Sequence, residues 1–256
     1  MRVKLLPSSF DATGRVMPGQ RLTSYLIDGC VAVDAGSLAL SLTAAERKAV
    51  RDIVLTHAHL DHLATLPIFL DDLFVSLEAP VSIHALPSVI EQLERNVFNG
   101  LIYPRFSQLK NRYGPILQYL PLAIGAPAVV GHLQVTAVAV DHPVETVGLF
   151  VSNATESIAF SSDTRPSHGY WVGCRQRKPV RMLVDVAYPD RLHDLALESG
   201  HQTPAMLVKL INQFAVERER LVAVGIKAAF VEEVLSELES AGIEAMSPAV
   251  EYRWPL

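Results

Sequence analysis

Cysteine is scarce in this chain. Only Cys30 and Cys174 occur among 256 residues, so no disulfide framework is expected to hold the fold. Long apolar runs are missing too: stretches such as Ala126 to Val130 fall far short of the roughly 20 residues that span a bilayer. No dense Lys/Arg run accompanies the net charge of −5, which argues against a broad nucleic-acid surface and leaves a small anionic substrate as the expected partner. Met1 to Pro7 lacks the apolar region and small-residue cleavage site of a secretory signal, and it reads as a short strand. These absences point to a cytoplasmic protein with no membrane partner.

What is present is apolar bulk and histidine in one place. Half of the residues are hydrophobic, enough for a sizeable core. No repeat, low-complexity segment or linker divides the chain, so a single domain over 1–256 is expected. Short strands are predicted at Arg2 to Leu6, Leu22 to Ile27 and Val31 to Asp34, the last two joined by the turn signal Asp28-Gly29. A helix is predicted over Leu42 to Val50, with Thr43 as N-cap and Glu46 three residues on. Another runs from His62 to Phe74, with Pro67 restarting it.

Later strands are expected at Val81 to His84, Leu133 to Val140, Val147 to Val151, Ser157 to Phe160, Val180 to Val186 and Arg220 to Val224. Helices are expected at Ser88 to Val97, Pro204 to Phe214 and Phe230 to Ala241. Strands predominate early and alternate with helices late, which predicts an α/β fold of two facing sheets with helices outside. Residues 98–127 break into aromatic and proline-rich pieces, and a lid or insertion is expected there.

The chemistry-bearing stretch is Thr56-His57-Ala58-His59-Leu60-Asp61-His62, directly after the apolar run Ile53-Val54-Leu55. An extended chain through His57-Ala58-His59 projects both imidazoles to one side, because strand side chains alternate with period two. Asp61 and His62, past the bend, are free to address a second ion. Imidazole and carboxylate donors without thiolate suit zinc, with manganese or iron as other options. Two further ligand types stand where strands run out: His142 after Val140, and Asp163 in Ser161-Ser162-Asp163-Thr164. Asp34 and Thr56 are candidates to orient the histidines. His84, His132 and His193 read as surface or hydrogen-bonded residues, and Tyr170 and Trp171 as packing or a base-stacking pair.

With these motifs the sequence resembles the metallo-β-lactamase superfamily, and within it the class II cyclic-nucleotide phosphodiesterases. The likeness includes Thr23 to Asp28, Asp34-Ala35-Gly36, the histidine cluster, Phe98 to Pro104, His142 to Gly148, Phe160 to Thr164 and Ser199-Gly200-His201-Gln202-Thr203-Pro204. The resemblance implies an αββα sandwich with a site for one or two ions at one sheet edge. It implies that His57, His59 and His142 hold one zinc ion, that Asp61 and His62 hold a second, and that Asp163 bridges them. A metal-bound hydroxide would then attack a phosphodiester, with Asp61 and His201 as the catalytic residues and His201 protonating the leaving oxygen. Relatives commonly pair, so a homodimer is an expectation as well.

One family position departs. Where the resemblance calls for a final histidine ligand in a His-x-Lys-Pro context, this chain has Gly225-Ile226-Lys227-Ala228. Glycine offers no side-chain donor. His168, Glu145 and Glu232 are the candidate substitutes, and Asp185 and Tyr188 stand on the same expected edge. Three readings follow: a phosphodiesterase, a non-catalytic binding protein on the same fold, and an ester or lactone hydrolase using a single ion.

Overall fold

A computed structural model describes residues 1–254. Two seven-stranded sheets face each other. The first is ordered Glu251–Arg253, Arg2–Leu5, Tyr25–Ile27, Val31–Val33, Asp52–Val54, Val81–Ala85 and Leu117–Pro121. The second is ordered Glu244–Ala245, Leu221–Val224, Arg181–Asp185, Ser157–Phe160, Val147–Ser152, Leu133–Ala139 and Pro127–Val130. Central strands such as Val31–Val33 and Leu221–Val224 are buried along their whole length, which is why they read as continuous apolar runs rather than alternating ones.

The core has two parts. One fills the space between the sheets and beneath the first layer of helices, with Ile53, Leu149, Phe160 and Leu183 from both sheets. The other lies under the second helical layer, where Trp171, Leu207, Phe214 and Val234 pack against Met182 and Ala223. That arrangement is the αββα sandwich. Among the described residues no helix is long and apolar enough to cross a membrane.

Local chemistry explains the element ends. Thr43 caps the helix Ala44–Ala49 in a reciprocal box with Glu46. Pro67 sits in the first turn of the helix Leu66–Leu73, where its missing N–H costs nothing. Thr203 accepts from Met206 N–H at the start of Pro204–Phe214.

Residues 98–127 are more regular than their composition suggests. Leu117–Pro121 is the outer strand of the first sheet, paired in parallel with Val81–Ala85. Phe98 and Phe106 are buried in an edge-on pair, with ring centroids 5.6 Å apart. Leu101 and Ile102, at the turn between them, are exposed.

The second sheet sets up the site by direction alone. Ser157–Phe160, Arg181–Asp185 and Leu221–Val224 run parallel, with Phe160 opposite Leu183 and Asp185 opposite Val224. Parallel strands end at the same sheet edge, so Asp163, Asp185 and Gly225 arrive there together. In the first sheet, Val31–Val33 and Asp52–Val54 are also parallel and deliver Asp34 and His57. A hydrogen bond from Val147 N–H to the Thr56 carbonyl, 3.2 Å, ties the two edges.

Candidate metal centre

His57, His59, His62 and His142 converge at this shared edge. His57 Nδ1 lies 3.0 Å from Thr56 Oγ1, whose proton goes to Asp34, so the imidazole donates and its Nε2 keeps a lone pair. His142 donates from Nδ1 to the Gly200 carbonyl at 2.9 Å, which again frees Nε2. His62 Nδ1 is 2.7 Å from Asp34 Oδ2. His59 turns its Nδ1 inward, 3.1 Å from His142 Nε2. Each ring thus has a nitrogen turned to the common centre.

Asp163 is the shared acid. Its Oδ1 is 3.4 Å from His62 Nε2, and its Oδ2 is 4.0 Å from His57 Nε2 and 3.8 Å from His201 Nε2. Donor atoms within 4.8 Å of one another fall into the sets His57, His59, His142; His57, His62, Asp163; and Asp163, Asp185, His201. Asp61 belongs to none of these sets; its carboxylate lies 4.0 Å from His62 Nε2 and faces the cleft above.

Electrostatics agree with a cation-binding role. Burial pushes His57 well below its ordinary pKa, helped by the neighbouring His62, so it presents a lone pair. Burial likewise lowers His59 and His142. Burial would lower His62 as well, but the carboxylates of Asp163 and Asp34 hold it well above its usual value. Burial would raise Asp163, yet His62, His57 and His201 keep it well below the carboxylate range.

The donor chemistry can be tested on the unpartnered atoms. His57 Nε2 and His62 Nε2 are buried with no hydrogen-bond partner. Buried polar atoms are nearly always satisfied. Two such imidazole nitrogens beside one carboxylate fit a divalent cation, and the nitrogen–oxygen set is that of catalytic zinc sites. The residues present suit that chemistry.

Other expected residues fall differently. Of the three candidate substitutes for a ligand at 225, His168 packs against Phe214, Glu145 accepts from Ser88, and Glu232 lines a separate surface cavity. None joins a donor set. His84 is buried against Asp52 and His132 pairs with Asp28, each as a hydrogen-bonded residue. Tyr170 and Trp171 are 1% exposed, which makes them core and removes them as a stacking platform. Tyr188 reaches the site: its ring is 5.8 Å from that of His201.

One contributor lies outside the sequence-level expectation, and one residue expected on this edge gains its role here. The Gly200 carbonyl fixes His142, and the only signal for it was a glycine beside His201. Asp185 accepts from His201 Nδ1 at 3.0 Å. Above them opens a cleft of about 350 Å³ lined by Asp61, Asp163, His201, Arg21, Lys227 and Phe230 among others.

Residues 23–226 match the family described as "Beta-lactamase superfamily domain", and the chain belongs to that family. Among curated proteins it is 26% identical over 222 residues to a "Probable 3',5'-cyclic-nucleotide phosphodiesterase" of Yersinia pestis, an alignment covering 78% of this chain. The chain spans 62% of that relative's length. Its fold is similar to the metallo-beta-lactamase fold protein YhfI from Bacillus subtilis, with a TM-score of 0.75, 13% identity, and 98% and 99% of the two chains covered. It is similar also to unliganded yeast PDE1, with a TM-score of 0.69, 15% identity, and 97% of each chain covered.

Proposed function

We propose that this chain is a cation-dependent hydrolase of a small phosphodiester, with a cyclic nucleotide as the substrate class. The observation that carries the proposal is the meeting of buried donors around Asp163 at the floor of a cleft that also presents Arg21 and Lys227. Two cations beside a metal site suit an anionic substrate. A volume of about 350 Å³ lies within the range of small-molecule sites. Tyr188 and Phe230, with ring centroids 5.7 Å apart, give the wall an aromatic surface for a base. The name of the Yersinia relative supports the same class.

His57, His59 and His142 would hold one ion. His62, Asp61 and Asp163 would hold the other, with Asp163 shared. Such ions supply positive charge against phosphate oxygens and acidify water near neutral pH, zinc being the expected metal.

The chain's own residues do the rest. Lys227 and Arg21 attract the phosphate. His201 holds a proton: burial would lower its pKa, but Asp185 and then Asp163 raise it above the ordinary value. With Nδ1 donating to Asp185, the proton on Nε2 faces the cleft and serves the departing oxygen.

Purified protein should hydrolyse bis(p-nitrophenyl) phosphate in proportion to bound divalent metal, and a chelator should abolish turnover. Metal-loaded protein that leaves phosphodiesters intact but cleaves p-nitrophenyl acetate would replace this assignment with ester hydrolysis. Ligand-dependent thermal stabilisation by a cyclic nucleotide without product would replace it with a binding role.

A further inference from the structure

Gly225 has a backbone φ of +78°, and a Cβ built there would lie 2.5 Å from Asp185 Oδ1. The Asp185 carboxylate thus occupies the ground directly in front of position 225. Asp185 is 1% exposed. Its Oδ2 accepts from His201, while its Oδ1 is buried with no hydrogen-bond partner. An unpartnered buried carboxylate oxygen is strongly unfavourable unless a donor or cation meets it.

A small cavity explains what meets it. His62, Asp163, Asp185 and Gly225 line a space of about 20 Å³, room for one water-sized object. His62 Nε2, on the same cavity, is likewise buried and unpartnered. The donor atoms of Asp163, Asp185 and His201 lie within 4.8 Å of one another, and Asp163 links this set to that of His57 and His62.

We propose that Asp185 replaces the side chain missing at 225: its Oδ1 is a direct ligand of the second cation, beside Asp163. This inference rests on the reading that the site holds divalent cations. Oδ2 of the same carboxylate keeps His201 oriented. One side chain then serves two tasks: it completes the ion's shell and it holds the proton donor. Because strands Arg181–Asp185 and Leu221–Val224 are adjacent and parallel, the ligand has moved by one strand across the sheet edge.

The test is zinc binding, read by elemental analysis and by competition with a chromogenic chelator. Wild-type protein, Asp185→Asn and His201→Ala are compared. The expected result is two equivalents for wild type and His201→Ala, and loss of one equivalent, or at least a tenfold weaker second equivalent, for Asp185→Asn. Two equivalents at wild-type affinity in Asp185→Asn would overturn the proposal. Equal loss in His201→Ala would also overturn it, because Asp185 would then act only through the histidine.

A crystal structure of wild-type protein grown with zinc gives an answer independent of variants. Asp185 Oδ1 should lie about 2.0–2.2 Å from an ion. A second position that is filled with Oδ1 beyond about 3 Å, or that stays empty at saturating zinc, would sink the idea. No arm reads turnover. Protein that binds two ions through Asp185 and hydrolyses no phosphodiester would uphold this inference and remove the proposed substrate.

Discussion

His62 and Asp34 are joined by a 2.7 Å hydrogen bond between Nδ1 and Oδ2 in an almost fully buried setting. Asp34 also accepts from the Thr56 backbone N–H at 2.9 Å and from the Thr56 hydroxyl, which in turn accepts from His57. One carboxylate therefore fixes the ring orientation of two histidines. It does so from a backbone φ of +60°, a left-handed conformation that aspartate adopts more readily than most residues.

Asp34→Ala should therefore weaken cation binding without removing any ligand. Loss of an orienting partner behind a metal-binding histidine costs about 10–100-fold in affinity. Competition titration with a chelator measures it. Unchanged affinity would show that packing alone holds His62 and His57 in place.

Gly200→Ala should disturb the site from the opposite side. Gly200 has a φ of +86°, and a Cβ there would press on Pro143 Cδ and lie 2.6 Å from His142 Nδ1. A left-handed non-glycine residue costs about 1–3 kcal/mol before any clash is counted. Denaturant unfolding should show a loss of at least that size, and the His142 bond to the Gly200 carbonyl should be strained along with it. Wild-type stability and metal affinity in this variant would contradict the geometry.

Cation binding should release protons and tighten as pH rises. In metal-free protein, burial opposes a charged His62 but Asp163 and Asp34 raise its pKa well above the ordinary value. The sign follows. A raised histidine pKa stabilises the metal-free fold fully below the unfolded value, about 6.5, and that contribution is lost as pH climbs through the raised folded value. A cation at Nε2 displaces the proton, so its affinity grows over the same window. Calorimetry in two buffers of different ionisation heat reads the released proton directly. A cation affinity that is flat across neutral and mildly alkaline pH would mean that His62 is already neutral.

The fold and the first donors were legible because both depend on short-range pattern. His57-Ala58-His59 at a strand end places two rings on one side, and apolar runs give the strands around it. Thr43 with Glu46 announced a helix start in four letters. The parts that were not legible depend on contacts far apart in sequence. Leu117–Pro121 is a strand because Val81–Ala85 supplies its pairing edge, and nothing within the segment reveals that neighbour. Asp185 was expected on the site edge, but the sequence assigned it no role. Only the register with Val224 shows that it faces position 225. His168 and Glu232 looked plausible as donors by residue type alone, and their directions, toward Phe214 and toward another cavity, are three-dimensional facts.

The common direction of the three strands that end near Asp163, Asp185 and Gly225 bears on how such chains are recognised. Adjacent strands stand about 4.8 Å apart, so neighbouring strand ends are nearly interchangeable as places from which to reach one point. A search that demands a histidine at a fixed place in the order of motifs would discard this chain as broken. A search that asks which donors the sheet edge gathers, in whatever sequence order, would keep it.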